Sequence, residues 1–326
     1  MKKVMVYGTL GPACADERVL MRMISEGMDG VRLNLSHTTL GESAELIEAY
    51  RSAARSCGVR PELLIDMQGP ELRIGDLDSP IMLREGGSTA AEGIPFPNGI
   101  TRALGELPKG TEILLDDGKL MLVTVSENEL LVKRGGVLYG RKSVSIRGLA
   151  LDTPALTEAD RLNLFGAGAC GVTAVMQPFV RGAEDLREVR RELRRAGLNG
   201  VRLLAKIENR EGVAALDGII PCCDEVVIAR GDLGNSMELW ELPAVQKRIA
   251  AACLAAGRDF MVVTQMLDSM MHRQTPTRAE VSDIFNAVLD GASSVMVTGE
   301  TASGEYPALA IRYLANTVRE AETYIR

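Results

Sequence analysis

The sequence predicts an α/β protein in which eight parallel strands alternate with helices, with a small β-rich domain inserted after the third strand. Eight short apolar runs recur along the 326 residues, and each except the third leads directly into a longer amphipathic pattern. Glycine (33) and methionine (15) are plentiful while aromatic residues make up 4 %, which suits helices packed closely on a parallel sheet. This pattern favours a (β/α)8 TIM barrel, and a doubly wound open sheet is the alternative.

The predicted barrel strands follow one another in a regular order. They are VMVY (4–7), GVRLNL (30–35), ELLID (62–66), GVTAVM (171–176), VRLLAK (201–206), EVVIA (225–229), FMVVT (260–264) and SSVMVT (293–298). Helical patterns are centred on 16–27, 41–57, 182–196 and 211–220, and others follow the last three runs. The third run is followed by no predicted helix for about eighty residues.

The interval after the third run has a different composition. It contains the Gly- and Pro-rich stretch EGIPFPNGI, and the turn sequence LDDGKL (115–120) separates the β-like runs TEILL and MLVTV. An Asp-Gly pair between two such runs predicts an antiparallel hairpin. We therefore predict barrel segments at 1–73 and 150–326 and a β lid domain at 74–149, over the barrel mouth.

Composition and charge exclude several classes of protein. The net charge of −7, without a basic stripe, argues against a nucleic-acid partner. Six scattered cysteines without CxxC spacing and only two histidines argue against a zinc site or a disulfide framework. The N-terminus reaches Tyr7 and Gly8 too soon for a signal peptide, and no apolar run approaches the roughly 18 residues of a membrane span. We expect a cytoplasmic protein with no membrane partner.

Charged and polar residues follow the predicted strands. In a barrel of this kind the chemistry lies at the C-terminal ends of the strands. Lys206 and Glu208 face the same side, because alternate strand residues do so. The full set is Arg32, Asn34, Ser36 and His37 after the second run, Asp66, Glu71 and Arg73 after the third, Lys206 and Glu208 after the fifth, Arg230 and Asp232 after the sixth, Thr264 after the seventh, and Thr298 and Glu300 after the eighth.

These residue types indicate a site for an anion and a metal. Glu208 and Asp232 are hard oxygen ligands of the kind that Mg²⁺ prefers. Arg32, Lys206 and Arg73 can offset the charge on a transferring phosphoryl group. Backbone N–H groups at the turn formed by Gly231 and Asp232 can hold a carboxylate. The alternatives are an ordinary Lys206–Glu208 salt bridge and a helix-capping role for Asp232.

The chain contains, in this order, the segments GTLGPA, VRLNLSH, LIDMQGPELRIG, LTEAD, AKIENREG, IARGDLG and the run from Thr264 to Pro307. These seven segments and their order resemble the pyruvate kinase family. The resemblance spans nearly the whole chain. It implies an enzyme that transfers a phosphoryl group from phosphoenolpyruvate to ADP, forming pyruvate and ATP. The implied cofactors are Mg²⁺ (or Mn²⁺) and K⁺. The resemblance is also compatible with a homo-oligomer.

The resemblance also implies roles for individual residues. The implied catalytic residues are Lys206, Arg32 and Thr264. Lys206 would stabilise the phosphoryl group during its transfer, Arg32 would contact the phosphate, and Thr264 would lie close to the carbon that accepts a proton. The implied substrate contacts are Arg32, Lys206, Gly231, Asp232 and Thr264. The implied ligands are Glu208 and Asp232 for Mg²⁺, and Asn34, Ser36, Asp66 and the Met67 carbonyl for K⁺. The nucleotide would be contacted by Arg73 and Lys142. Glu71 marks K⁺ dependence, and Asp116, Asp117 and Gly118 match the lid hairpin.

Several positions depart from the family pattern. Gln68 stands in place of a lysine, and Met67 supplies a carbonyl but no hydroxyl. Pro178 replaces a serine, Ser236 replaces a glutamate, Thr298 replaces a serine, and Thr38 stands where glycine is common. The chain stops at Arg326, so the resemblance is to a short form lacking the C-terminal domain, and regulation through that domain is not expected.

Two other functions remain open from the sequence. One is a Mg²⁺-dependent lyase or another phosphotransferase that acts through a pyruvate-like enolate, since the same metal site would stabilise enolate charge. The other is a non-catalytic homologue that has kept the fold, because fold alone does not establish function.

Overall fold

The computed structural model describes residues 3–146 and 153–325. The strands are β1 (Met5–Thr9), β2 (Gly30–Asn34), β3 (Leu63–Asp66), β4 (Ile81–Leu83), β5 (Ser88–Ala90), β6 (Glu112–Leu115), β7 (Leu120–Ser126), β8 (Glu129–Arg134), β9 (Gly136–Leu138), β10 (Val144–Ile146), β11 (Ala174–Gln177), β12 (Arg202–Ile207), β13 (Glu225–Ala229), β14 (Asp259–Val263) and β15 (Ser294–Met296).

All the helices except the one at Asn98–Leu104, which lies between β5 and β6, alternate with the barrel strands. They are α1 (Glu17–Glu26), α2 (Ala44–Ser56), α3 (Asn98–Leu104), α4 (Glu158–Ala167), α5 (Ala183–Arg195), α6 (Arg210–Ala214), α7 (Leu216–Ile219), α8 (Arg230–Asn235), α9 (Leu242–Ala255), α10 (Arg278–Leu289), α11 (Gly299–Ala302) and α12 (Pro307–Ile325). No helix in the described part of the chain is both long and apolar enough to cross a bilayer.

The predicted (β/α)8 barrel is confirmed. Eight parallel strands close in the order β1-β15-β14-β13-β12-β11-β3-β2. All residues of β13 are buried, as expected for a strand covered on both faces. Buried side chains of the barrel strands, such as Leu64, Met176, Leu204 and Val227, pack together in one hydrophobic cluster.

The chain divides into two compact units. One consists of Met1–Gly69, Ala155–Leu233 and Trp240–Arg326, and the other of Pro70–Pro154 and Gly234–Leu239. The division into domains at 73/74 and 149/150 stays a prediction, and its second boundary lies outside the described residues.

The second unit has its own sheet and core. Five antiparallel strands lie in the order β10-β6-β7-β8-β5, and β4 pairs with β9. The predicted hairpin joins β6 to β7, with Leu115 opposite Leu120. Asp116, Asp117 and Gly118 all have positive φ angles, which Asp and Gly tolerate better than most residues.

One expectation about this interval is wrong. The sequence predicted no helix there, but α3 runs from Asn98 to Leu104 directly after Pro97. Its Ile100 and Leu104, four residues apart, are buried in the core of the unit. Packing on this one face stabilises a two-turn helix that the neighbouring Gly and Pro residues concealed.

Candidate active site

Four charged side chains from the ends of β2, β3 and β12 meet at the C-terminal end of the barrel, although β11 lies between β3 and β12 in the sheet. Asp66 Oδ2 accepts hydrogen bonds from Arg32 Nε (2.9 Å) and Nη2 (2.6 Å) and from Lys206 Nζ (3.0 Å). Lys206 Nζ also lies 2.9 Å from Glu208 Oε1. The side chains of Arg32 and Lys206 are 12 % exposed and those of Asp66 and Glu208 are 2 % exposed. The cluster is thus two buried cations paired with two buried anions.

The protonation states in this cluster follow from its pairing. Burial alone would lower the pKa of Lys206, but the carboxylates of Asp66 and Glu208 outweigh it, and the pKa is raised above its ordinary value. Burial likewise opposes ionisation of Asp66, yet Lys206 and Arg32 keep the pKa of that carboxyl below its usual range. Lys206 is therefore an ammonium and Asp66 a carboxylate throughout the neutral range.

Glu208 and Asp232 lie at the ends of adjacent strands. β12 pairs with β13 in parallel, with Ile207 opposite Ile228, and Asp232 lies in the first turn of α8 directly after β13. Glu208 Oε2 accepts a hydrogen bond from the backbone N–H of Phe179 (2.8 Å), which fixes the carboxylate. Two hard oxygen donors on neighbouring strand ends fit a Mg²⁺ ion that takes its remaining ligands from substrate and water.

The residues predicted to bind K⁺ are brought together by β2 and β3. Asn34 lies opposite Asp66 in the parallel register, and the Ser36 N–H donates to Asn34 Oδ1 (3.2 Å). Asp66 Oδ1 is buried and makes no hydrogen bond to any atom that the structure describes. A buried carboxylate oxygen without a donor is costly, and a monovalent cation at this position would remove that cost. Met67, next to Asp66, is buried.

Thr264 and Gly231 are in close contact. Thr264 directly follows β14 and has a φ of +75°, which is rare for a β-branched residue. A Cβ atom on Gly231 would lie 3.1 Å from Thr264 Cγ2. The glycine therefore lets the Thr264 side chain approach the first turn of α8, beside Asp232.

Arg73 and Lys142 lie in the second unit. Arg73 donates to Glu71 Oε2 (2.8 Å) and to the backbone carbonyl of Arg141 (2.9 Å). Lys142 Nζ contacts Asp116 Oδ1 (2.9 Å). The backbone N–H of Ile74 donates to the Lys142 carbonyl, so the two predicted nucleotide residues are neighbours. Glu71, the predicted mark of K⁺ dependence, is thus bound to the predicted nucleotide arginine.

Asp160 supports the turn after β3, a role that the sequence reasoning missed. Its buried carboxylate accepts hydrogen bonds from the backbone N–H groups of Gln68 (2.8 Å) and Gly69 (3.0 Å). It also accepts from the N–H (2.9 Å) and hydroxyl (2.8 Å) of Thr157, in a capping box at the start of α4. The spacing Thr-x-x-Asp is a signal for such a cap, but nothing in it indicates the second set of contacts.

Two of the departures from the family pattern meet at the turn after β3: Gln68 lies in this turn, and Pro178, which follows β11, packs against it. Gly69 has a φ of +59°, and a Cβ atom there would lie 2.4 Å from Pro178 Cγ. The Thr157 hydroxyl is 3.4 Å from Gln68 Oε1. Pro178 therefore packs against the turn that follows Asp66, and the Gln68 side chain in this turn contacts Thr157.

The loop after β14 is held by two further residues without an assigned role. The buried Glu300 accepts hydrogen bonds from the backbone N–H groups of Leu267 (3.0 Å) and Thr298 (2.7 Å). Arg230 donates to the carbonyl of Thr264. Both belong to the strand-end set, but no sequence pattern indicates which backbone groups they bind.

The fold and these clusters define a (β/α)8-barrel protein whose strand ends carry paired buried charges and hard oxygen donors. The family model described as pyruvate kinase, barrel domain, matches residues 1–311. The chain belongs to the pyruvate kinase family, which confirms the resemblance seen in the sequence.

Individual relatives agree with this assignment. The chain is 36 % identical over 325 residues to a pyruvate kinase of Geobacillus stearothermophilus, covering 95 % of this chain and 55 % of that protein. It is 37 % identical to a pyruvate kinase of Corynebacterium efficiens, covering 99 % of this chain and 70 % of the relative. For a pyruvate kinase of Aeropyrum pernix the identity is 36 %, over 96 % and 69 % of the two chains. The chain thus spans from just over half to about two thirds of the length of these relatives.

Proposed function

We propose that this chain transfers a phosphoryl group from phosphoenolpyruvate to ADP, with Mg²⁺ (or Mn²⁺) and K⁺ as its cations. The observation that carries the proposal is the buried Lys206 ammonium held between Asp66 and Glu208. A buried, permanently charged ammonium beside a metal-binding carboxylate is what transfer of an anionic group requires.

The charged residues act on the phosphoryl group. The phosphorus–oxygen bond to the enol oxygen breaks and a bond to a β-phosphate oxygen of ADP forms. Lys206 and Arg32 stabilise the negative charge on the transferring group, and they are already oriented by Asp66. Mg²⁺ bound by Glu208 and Asp232 would supply further positive charge to the phosphate oxygens.

The second step is proton transfer to carbon. The departing group is the enolate of pyruvate, and its terminal carbon takes one proton from solvent. Thr264, in contact with Gly231, is the residue proposed to lie beside that carbon. The backbone N–H groups near Gly231 would hold the carboxylate of the substrate. Arg73 and Lys142 are proposed to contact the nucleotide phosphates.

K⁺ has a proposed place next to Asp66. Asn34, Ser36, Asp66 and the carbonyl of Met67 would bind it, and Asp66 Oδ1 is the oxygen available to it. The cation would add positive charge close to Lys206 and would satisfy the buried carboxylate.

A coupled assay for pyruvate tests the proposal. Pyruvate is expected from phosphoenolpyruvate and ADP when Mg²⁺ is present, with a lower rate when tetramethylammonium replaces K⁺. Lys206→Met is expected to lower kcat about 100- to 1000-fold, on the scale of removing one preorganised donor. The matched control is Lys247→Met, which removes an exposed lysine paired with Asp290. Absence of pyruvate with all common nucleoside diphosphates would refute the proposal.

A further inference from the structure

Two consecutive residues after β14 have a left-handed backbone although neither is glycine. Thr264 has a φ of +75° and Gln265 a φ of +55°. Such conformations are strained in residues other than glycine and persist only where the surrounding structure holds them. A β-branched residue such as Thr264 is the less tolerant of the two.

Arg230 holds both residues by their carbonyl groups. Ala229 lies opposite Val263 in the parallel register, so Arg230 and Thr264 follow the ends of neighbouring strands. Arg230 Nε (3.1 Å) and Nη2 (2.8 Å) donate to the Thr264 carbonyl, and Nη2 also donates to the Gln265 carbonyl (3.3 Å). The Arg230 side chain is 10 % exposed, so its bonds to the Thr264 carbonyl are largely shielded from water, while the bond to Gln265 lies at the surface.

Asp283 fixes the orientation of the guanidinium. Arg230 Nη1 donates to Asp283 Oδ2 (2.6 Å) on α10. One planar group therefore spans two backbone carbonyls and a carboxylate. A lysine has the same charge but a single nitrogen, and cannot reproduce this fork.

We propose that Arg230, oriented by Asp283, is a positioning residue that holds the Thr264 side chain in place for the proton-transfer step. The inference rests on the proposed kinase function and deepens it. Arg230 acts through the Thr264 backbone: the left-handed turn directs the Thr264 side chain to Gly231. A salt bridge that served only to anchor α10 would affect stability without affecting this step.

The kinetic test is Arg230→Lys in two backgrounds. In the unmodified chain the substitution is expected to lower kcat at least tenfold while KM for phosphoenolpyruvate changes less than threefold. Exchange of the pyruvate methyl protons in D₂O is expected to fall by the same factor as kcat. In a Thr264→Ala background, Arg230→Lys is expected to change the residual rate less than twofold, because Arg230 acts through Thr264. Equal losses in both backgrounds would overturn the proposal.

The matched control is Arg161→Lys. Arg161 likewise contacts two acceptors, Glu188 (2.6 Å) and Glu192 (2.8 Å), and this contact joins α4 to α5 without touching the loop after β14. It is expected to leave kcat within twofold of the unmodified chain. A drop equal to that of Arg230→Lys would mean that loss of any such ion pair slows the enzyme, and would refute a specific role.

A measurement without substrate separates this inference from the proposed function. Amide hydrogen exchange of a peptide covering Thr264–Leu267 is expected to be at least tenfold faster in Arg230→Lys, while the amides of β14 are unchanged. The Leu267 N–H, bonded to Glu300, is the reporter. Unchanged exchange would overturn the positioning role. If the unmodified chain forms no pyruvate while amide exchange in Arg230→Lys still becomes faster as expected, the proposed function is refuted. The role of Arg230 in holding the Thr264 and Gln265 backbone is then retained.

Discussion

Substituting Asp160 tests how far the turn after β3 depends on one buried carboxylate. Asp160→Asn leaves a single acceptor oxygen for four donors: the backbone N–H groups of Gln68, Gly69 and Thr157 and the hydroxyl of Thr157. In the better amide orientation the NH₂ group faces the Gln68 N–H, and the other three bonds lose their charge assistance.

The expected loss follows from these contacts. A stranded, partly buried N–H group costs about 2 kcal/mol, and weakening of each of the other three bonds costs about 0.5 kcal/mol. Asp160→Asn should therefore lower the free energy of unfolding by about 3–4 kcal/mol. The cost exceeds that of an ordinary helix cap because the carboxylate also supports the turn that contains Gln68 and Gly69.

Urea titration followed by circular dichroism measures this loss. The control is Asp16→Asn, since Asp16 caps α1 through one exposed bond to the Arg18 N–H (2.7 Å) and its loss should cost no more than about 1 kcal/mol. A loss below about 1 kcal/mol for Asp160→Asn, similar to the control, would show that the turn does not depend on this carboxylate.

Two further substitutions give clear outcomes. Gly69→Ala should destabilise the protein by about 2–3 kcal/mol, more than Gly58→Ala. Both glycines have positive φ, but of the two only Gly69 has a close neighbour: an added Cβ would lie 2.4 Å from Pro178 Cγ. Equal urea midpoints for the two variants would contradict this. Burial raises the pKa of Glu225, so its contribution to stability is full below the ordinary glutamate pKa and is lost as pH rises through the folded-state pKa. Glu225→Gln should therefore flatten the dependence of unfolding free energy on pH above 4.5, and an unchanged slope would refute that cause.

The barrel could be predicted because its strands are buried on both faces. EVVIA (225–229) and its counterparts are continuous apolar runs, and their spacing by helices left few arrangements. Helix α3 could not be predicted, because two buried residues four apart are a weak signal beside Gly and Pro. Packing within the insert determines that helix.

The candidate site was only partly visible in the sequence. The Lys206–Glu208 contact follows from strand alternation, so the sequence predicted that the two face the same side. That Asp66 joins Lys206 to Arg32 depends on the order of the strands in the closed barrel and on contacts across its interior, since β11 separates β3 from β12. Asp160 lies 92 residues from Gln68, and no local pattern indicates that contact. Contacts made by tertiary pairing are therefore the part that the sequence does not reveal.

The proposed function requires that the Lys206 ammonium support phosphoryl transfer to ADP. Phosphorus NMR of a mixture of the protein, phosphoenolpyruvate, ADP, Mg²⁺ and K⁺ tests it directly, because the fate of the phosphorus is read from its own resonance. The γ-phosphate resonance of ATP is expected to grow as phosphoenolpyruvate is consumed, and Lys206→Met is expected to show neither change. If phosphoenolpyruvate stays intact, or yields inorganic phosphate without ATP, phosphoryl transfer to ADP by this chain is contradicted.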